Sequence, residues 1–188
     1  MDFQRGQFYH VYNRGNNSQP IFFTEGNFIF FLKKVRDHLS PLIKVVSYCL
    51  MPNHFHFMVY VPDSPGDSES PGELSKQITD AIAIILRSYT RAINKKYNRT
   101  GSLFQQSTRA KLLENRDRNY PFICFHYIHQ NPVTANLVKT MDEWIFSSYI
   151  DYAGLRDGTL CNKSLAYDFL EIPKDVDEFI RLSECESI

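Results

Sequence analysis

Two small groups of residues carry the chemistry this sequence offers. The first is His54-Phe55-His56, inside the apolar stretch His54–Val61. In an extended strand successive side chains point to opposite faces, so both imidazoles share one face, roughly 6.6 Å apart along the chain. Phe55, Phe57 and Val59 then point the other way, into a core. Two imidazoles placed this way make half of a divalent metal site; two partly exposed surface histidines are the plainer alternative. The second group is Tyr127 and Asn131, four residues apart in a stretch that reads as helix. At that spacing they share a helix face. A phenol is a nucleophile once activated, and an amide oxygen can complete a metal site. The plainer alternative is a core tyrosine followed by a helix-ending asparagine, because Pro132 comes next and disfavours helical backbone at the residue before it.

Charge bears on what such a site would act upon. The 188 residues hold 21 Lys+Arg against 21 Asp+Glu, a formal charge of zero, which excludes a uniformly basic coat. The balance is local, however. Arg87 to Arg118 contains nine bases and two acids, whereas Met141 to the C-terminus contains eleven acids and four bases. A basic middle attracts phosphates. Tyr89, Tyr97 and Phe104 are interleaved with it and are either base-stacking platforms or core. Arg14, Asn13, Arg99, Arg109 and Lys111 are the residues singled out for contact with a nucleic-acid backbone. The four cysteines, at 49, 124, 161 and 185, form no C-x-x-C pair, which argues against a zinc knuckle and for reduced thiols. No apolar run approaches the ~20 residues that span a bilayer. The first residues lack a signal-peptide layout, so the cytoplasm is the expected location and no membrane partner is expected.

The elements that must position these groups follow from hydrophobic periodicity. Gln7–Asn13, Ile43–Leu50 and His54–Val61 read as strands, the last two joined by a Met51-Pro52-Asn53 turn. Glu25–Leu39 and Leu74–Tyr97 read as helices, Arg109–Leu113 as a short strand and Arg116–Gln130 as a further helix. Asp63–Gly72 is a loop by composition, ending in a capping box at Ser70–Glu73. Leu137–Ile150 reads as connector, and a weak helical pattern surrounds Val176–Leu182. The order β-α-β-β-α-β is the ferredoxin-like, RRM-like arrangement, an α+β fold with helices on one face of an antiparallel sheet. The other face would be free for a site. The tyrosine-bearing helix and a C-terminal extension are additions to that plan. Residues 1–154 form the expected catalytic domain, and 155–188 an acidic extension packed on it.

In their contexts these residues resemble a known family. Ser47-Tyr48-Cys49-Leu50-Met51-Pro52-Asn53-His54-Phe55-His56-Phe57 resembles the signature of the IS200-like (Y1, HUH-type) transposases. Tyr127-Ile128-His129-Gln130-Asn131-Pro132-Val133 resembles the segment bearing their single catalytic tyrosine. His10-Val11-Tyr12-Asn13-Arg14-Gly15, Gly101-Ser102-Leu103-Phe104-Gln105 and Trp144-Ile145-Phe146-Ser147-Ser148-Tyr149 are similar to further family blocks. The REP-associated tyrosine transposases are the nearest branch, and the likeness runs from about Gln7 to Gly154.

The resemblance implies that His54, His56 and Asn131 hold Mg²⁺ or Mn²⁺ and that Tyr127 is the nucleophile. It implies cleavage and rejoining of single-stranded DNA beside hairpins through a 5′-phosphotyrosine. The family includes monomers and also dimers that exchange the tyrosine helix, so a homodimer is among the assemblies it allows. The rival from another class is a sheet that grips single-stranded nucleic acid without cutting it. Of the remaining titratable residues, Tyr120, Tyr149 and Tyr152 lack an amide partner or lie outside the helix, and His126 and His129 point away from Tyr127. His10, on the first strand, is read as a structural residue or a support to the histidine pair rather than as a catalytic group.

Overall fold

The period-2 stretches pair into one antiparallel sheet of four strands. In the computed structural model, which describes residues 1–63, 71–114 and 120–185, these are β1 (Gln7–Arg14), β2 (Lys44–Met51), β3 (His54–Val61) and β4 (Arg109–Leu112), in the order β2-β3-β1-β4. Two crossover helices, α1 (Glu25–His38) and α2 (Pro71–Lys96), complete the β-α-β-β-α-β plan. The capping box expected at Ser70–Glu73 begins outside the described residues, as does the start of the helix expected from Arg116.

One sheet face packs on α1 and α2. Val11, Phe55, Phe57 and Val59 alternate along their strands to meet Phe31, Ile78, Ile85 and Tyr89, all buried. Each such side chain contributes on the order of 1.5–3 kcal/mol by leaving water. The buried Tyr89 hydroxyl donates to the Ile21 carbonyl at 2.7 Å. Tyr89 and Phe104 thus belong to the core, and the Tyr97 hydroxyl reaches Asn27 at 3.1 Å. None of the three is a free stacking platform, which corrects that option: their spacing on α2 and the loop after it directs them inward.

The opposite face is covered as well, contrary to the expectation that it stays free. Phe8, Val46, Cys49, Met58 and Tyr60 form a second core with helices α3 (Tyr120–Thr134), α4 (Tyr149–Tyr152), α5 (Lys163–Phe169) and α6 (Val176–Cys185). Phe125, Ile128, Tyr149, Tyr152 and Phe179 fill it. The sheet is therefore the middle layer of three. What stays open is the end of this face that carries Arg14 and His54.

Two local differences from the sequence reading have physical causes. Helix α3 runs past Asn131 and Pro132 to Thr134, so Asn131 lies within the helix rather than at its end. Pro132 is buried in the last turn, where its missing N–H leaves one carbonyl unpaired and does not stop the chain. Asn136 ends the helix instead: its φ of 55° is left-handed, and Leu137 N donates back to the Pro132 carbonyl. The second difference is that residues 146–148 are more than connector. Leu50 N donates to Phe146 O and Ser148 N to Tyr48 O, both at 2.9 Å, which covers the free edge of β2. Arg156 holds this segment down by donating to Asp151, Tyr48 and the Ser147 carbonyl. Cys49, Cys124 and Cys161 are free thiols. Among the described residues no helix is long and apolar enough to cross a membrane.

Candidate functional site

Strand register assembles the site. On β3, His54 and His56 face away from the α1/α2 core. Antiparallel pairing sets Arg14 of β1 opposite His54 and Tyr12 opposite His56. The next strand sets Arg109 opposite Tyr12, and β2 sets Cys49 opposite His56. Directly opposed residues share a face, so two imidazoles, a phenol and two guanidinium groups stand on one end of one face. Helix α3 crosses this face and brings Tyr127 to it. The Tyr127 ring stands edge-on to His56 at 5.7 Å between centroids, and 6.1 Å from His10. His54 and His56 are themselves 4.9 Å apart by ring centroid. His54, His56, Tyr12, Arg14, Arg109 and Tyr127, together with Asn131, Gln105 and Ser107, line a cleft of about 460 Å³. Tyr127 is 37% exposed, so its side chain can be reached from the cleft.

Hydrogen bonds fix which imidazole nitrogens are available. Asn53 Oδ1 accepts from His54 Nδ1 at 2.6 Å, leaving Nε2 with the lone pair. His56 Nδ1 lies 2.8 Å from His10 Nε2. His56 Nε2 is buried and has no partner, and an orphaned nitrogen of this kind in a polar cleft suits a ligand. Burial depresses all three imidazoles. His54 and His10 fall to about 4, helped by Arg14 and Lys111 respectively. His56 falls well below 6.5, with His10 and His54 adding to burial. All three are neutral at neutral pH, as metal ligation requires. Among the described residues no three His, Cys, Asp or Glu side chains are arranged to hold a metal ion between them. Asn131 lines the same cleft, and its Nδ2 donates to the Tyr127 carbonyl at 2.7 Å, leaving Oδ1 as its remaining acceptor. The Tyr127 phenol is raised above 10 chiefly by burial and then by Cys124, while a hydrogen bond from Asn131 and the charge of Arg14 pull it back.

The structure brings His54, His56, Tyr127, Asn131, Arg14 and Arg109 into one cleft. Asn13 lines it too, with its amide N–H groups spent on structure, donating to the Gln105 carbonyl and to Thr108 Oγ1. Lys111 lies on the same face, where its Nζ meets the Tyr120 hydroxyl. Arg99 is elsewhere, held by Gln19 Oε1 at 2.7 Å and stacked near Phe23. Sequence reasoning missed Tyr12, Met51 and Gln105 in the cleft lining, and it named His10 as a possible support without identifying His56 as its partner. For Tyr12 and His10 the signal was present: both alternate on β1 in phase with the histidine face once β1 is known to neighbour β3.

No family model matches the sequence, and no curated protein matches it. Among solved structures, one described as the REP-associated tyrosine transposase bound to a REP hairpin matches with a TM-score of 0.54 and 17% identity, covering 86% of this chain and 94% of that chain. At that identity the likeness shows a shared fold, the four-stranded antiparallel sheet with its helices, over nearly the whole of both chains.

Proposed function

We propose that this chain is a metal-dependent, single-tyrosine DNA strand-transfer enzyme acting on single-stranded DNA next to hairpins. The observation that carries the reading is the Tyr127 ring set against His56, across a cleft that also holds His54, Asn131, Arg14 and Arg109. The transposase neighbour, solved with a hairpin, supports a DNA substrate.

His54 Nε2, His56 Nε2 and Asn131 Oδ1 would hold a divalent cation such as Mg²⁺ or Mn²⁺ without cancelling its charge, the amide oxygen being the hard donor such ions prefer. When bound, such an ion polarises the scissile phosphate and stabilises the leaving oxygen. The chain's own groups do the rest. Arg14 and Arg109 neutralise the phosphodiester as it enters. Tyr127, made accessible by its place on the cleft wall, attacks phosphorus. The bond from Tyr127 Oη to phosphorus forms as the bond from phosphorus to the 3′-oxygen breaks. The phenol proton passes to water in the cleft, and the departing oxygen is protonated to a 3′-OH. The 5′-phosphotyrosine keeps the bond energy, so a second 3′-OH can reverse the step and join strands. Tyr127 reaches the imidazoles of its own chain, so the proposed site needs no exchanged helix.

The test is a hairpin oligonucleotide with single-stranded flanks, incubated with Mg²⁺ or Mn²⁺ and run on a denaturing gel. A covalent protein–DNA adduct that disappears in Tyr127→Phe supports the proposal. Hairpin binding with no adduct under any divalent ion would replace it with the non-cleaving binding module.

A further inference from the structure

Two phenols line the cleft, Tyr127 on its helical wall and Tyr12 on its sheet floor. Tyr12 alternates on β1 in phase with the histidine face, opposite His56 of β3 on one side and Arg109 of β4 on the other. Its ring lies 4.7 Å from that of His10 and stacks on His56 at 5.8 Å, 28° from parallel. Tyr127 meets the same two imidazoles edge-on, at 83° to His56 and 77° to His10. The two phenols therefore reach His56 from different sides.

Elsewhere in the molecule, buried tyrosine hydroxyls are spent on structure. Arg156 donates to the Tyr48 hydroxyl, and Tyr89 and Tyr152 donate to the Ile21 and Val46 carbonyls. The Tyr12 hydroxyl makes no hydrogen bond among the described residues, and the residue is only partly buried. A phenylalanine would pack against His10 and His56 as well, so packing does not account for the hydroxyl. Arg109, and Arg14 two residues along the same face of β1, are both exposed beside it. A phosphodiester held by these guanidinium groups lies next to Tyr12.

Displacement at phosphorus is in line, with the leaving oxygen opposite the attacking one. Helix α3 packs on β2 and β3, so Tyr127 approaches from that side. The oxygen it displaces departs toward β1 and β4, where Tyr12 and Arg109 stand.

We propose that the Tyr12 hydroxyl donates a hydrogen bond to the 3′-oxygen as it leaves phosphorus, and to the attacking 3′-oxygen when strands are joined. The inference rests on the strand-transfer reading and adds a catalytic residue on the leaving side. As the bond from Tyr127 Oη to phosphorus forms, the electron pair of the breaking bond goes to the 3′-oxygen. That oxygen accepts from Tyr12 while its charge grows, then takes from cleft water the proton that Tyr127 released. Tyr12 keeps its own proton throughout. An ester oxygen accepts weakly and a departing oxyanion strongly, so the donor acts mainly in the transition state.

The experiment measures single-turnover adduct formation with Mn²⁺ on a DNA hairpin with single-stranded flanks, in wild type and Tyr12→Phe. A second substrate carries sulfur in place of the 3′-oxygen at the bond the wild type cuts. A thiolate leaves more readily and accepts hydrogen bonds weakly. Tyr12→Phe is expected to be about 100-fold slower with oxygen and within about threefold of wild type with sulfur. Hairpin affinity and calorimetric Mn²⁺ affinity are expected to match the wild type. An unchanged rate with oxygen overturns the proposal, as does an equal deficit with both leaving atoms. A drop in Mn²⁺ affinity of about tenfold or more also overturns it, making Tyr12 a support for His56 instead. A wild-type adduct with any of these outcomes refutes the role of Tyr12 alone. No wild-type adduct refutes the strand-transfer reading, and the role of Tyr12 with it.

Discussion

Acid should loosen the helix that carries Tyr127, by an amount that one substitution can isolate. His126 and His129 lie on the side of α3 away from the cleft, both completely buried. The His126 ring is 4.6 Å from Phe122 and 6.4 Å from Phe179 of α6, and neither of its nitrogens has a partner. Burial alone lowers it from 6.5 to about 4. The unfolded chain therefore binds the proton more tightly, and stability falls as pH drops through the interval from 6.5 to 4. It is fully present above 6.5. Integrating that one group from pH 7 to pH 4.5 gives a loss of about 2.5 kcal/mol. At a typical urea dependence near ~2 kcal/mol/M, the unfolding midpoint moves by roughly 1 M. In His126→Leu the titrating group is gone and the packing volume is nearly kept. Its midpoint should fall between pH 7 and pH 4.5 by roughly 1 M less than that of the wild type. The other buried imidazoles, His10, His54, His56 and His129, titrate in both proteins; the first three cancel in the difference, and so does the burial that chiefly depresses His129, leaving only its weaker coupling to His126. Equal drops in the two proteins would refute the assignment of a proton-free, unpartnered His126 to the α3–α6 contact.

Three further outcomes follow from the geometry. His10→Leu removes the partner that holds His56 Nδ1 and should weaken Mn²⁺ binding about 10–100-fold in calorimetry without preventing folding; unchanged affinity would free His56 from that role. Arg156→Ala leaves the Asp151 carboxylate, 1% exposed, without the cation 2.6 Å away. Denaturation should show a loss of about 3–5 kcal/mol, partly restored by adding Asp151→Asn. Asn131→Asp keeps an oxygen donor and should retain adduct formation that Asn131→Leu loses, read as single-turnover rates; an active leucine variant would remove Asn131 from the site.

The fold was legible where one face of an element was polar and the other apolar. His54–Val61 alternates cleanly, so the strand, its face and the pairing of His54 with His56 all followed from period 2. Helix α3 gave no such contrast. Phe122, Cys124, Phe125 and Ile128 surround it with apolar groups because it is packed against the sheet on one side and α6 on another, and an all-round apolar helix does not announce what covers it. The seven residues of α5 are too few to show a period at all. Pro132 was a strong local signal that lost to tertiary packing, and Asn136 was the weaker one that set the helix end. Asn13 and Arg99 illustrate a different limit. Polar residues near a site look alike in sequence whether they face a ligand or, as here, spend their donors on Gln105, Thr108 and Gln19.

Covering the reactive face over most of its length also explains why the cleft can be both rigid and open. Tyr127 and Asn131 share a helix with His129, whose Nε2 lies 2.8 Å from Ser148 Oγ. Ser148 is in turn bound to Tyr48 of β2 through its main-chain N–H and its hydroxyl. The helix is thereby tied to the same sheet that carries His54 and His56, through groups that do not enter the cleft. Preorganisation of this kind matters because a displacement of about 1 Å between a nucleophile and its target costs on the order of a hundredfold in rate. The C-terminal helices therefore bear on the position of Tyr127 through α3. They hold α3 against the second core, and the free end of the sheet is left to the substrate.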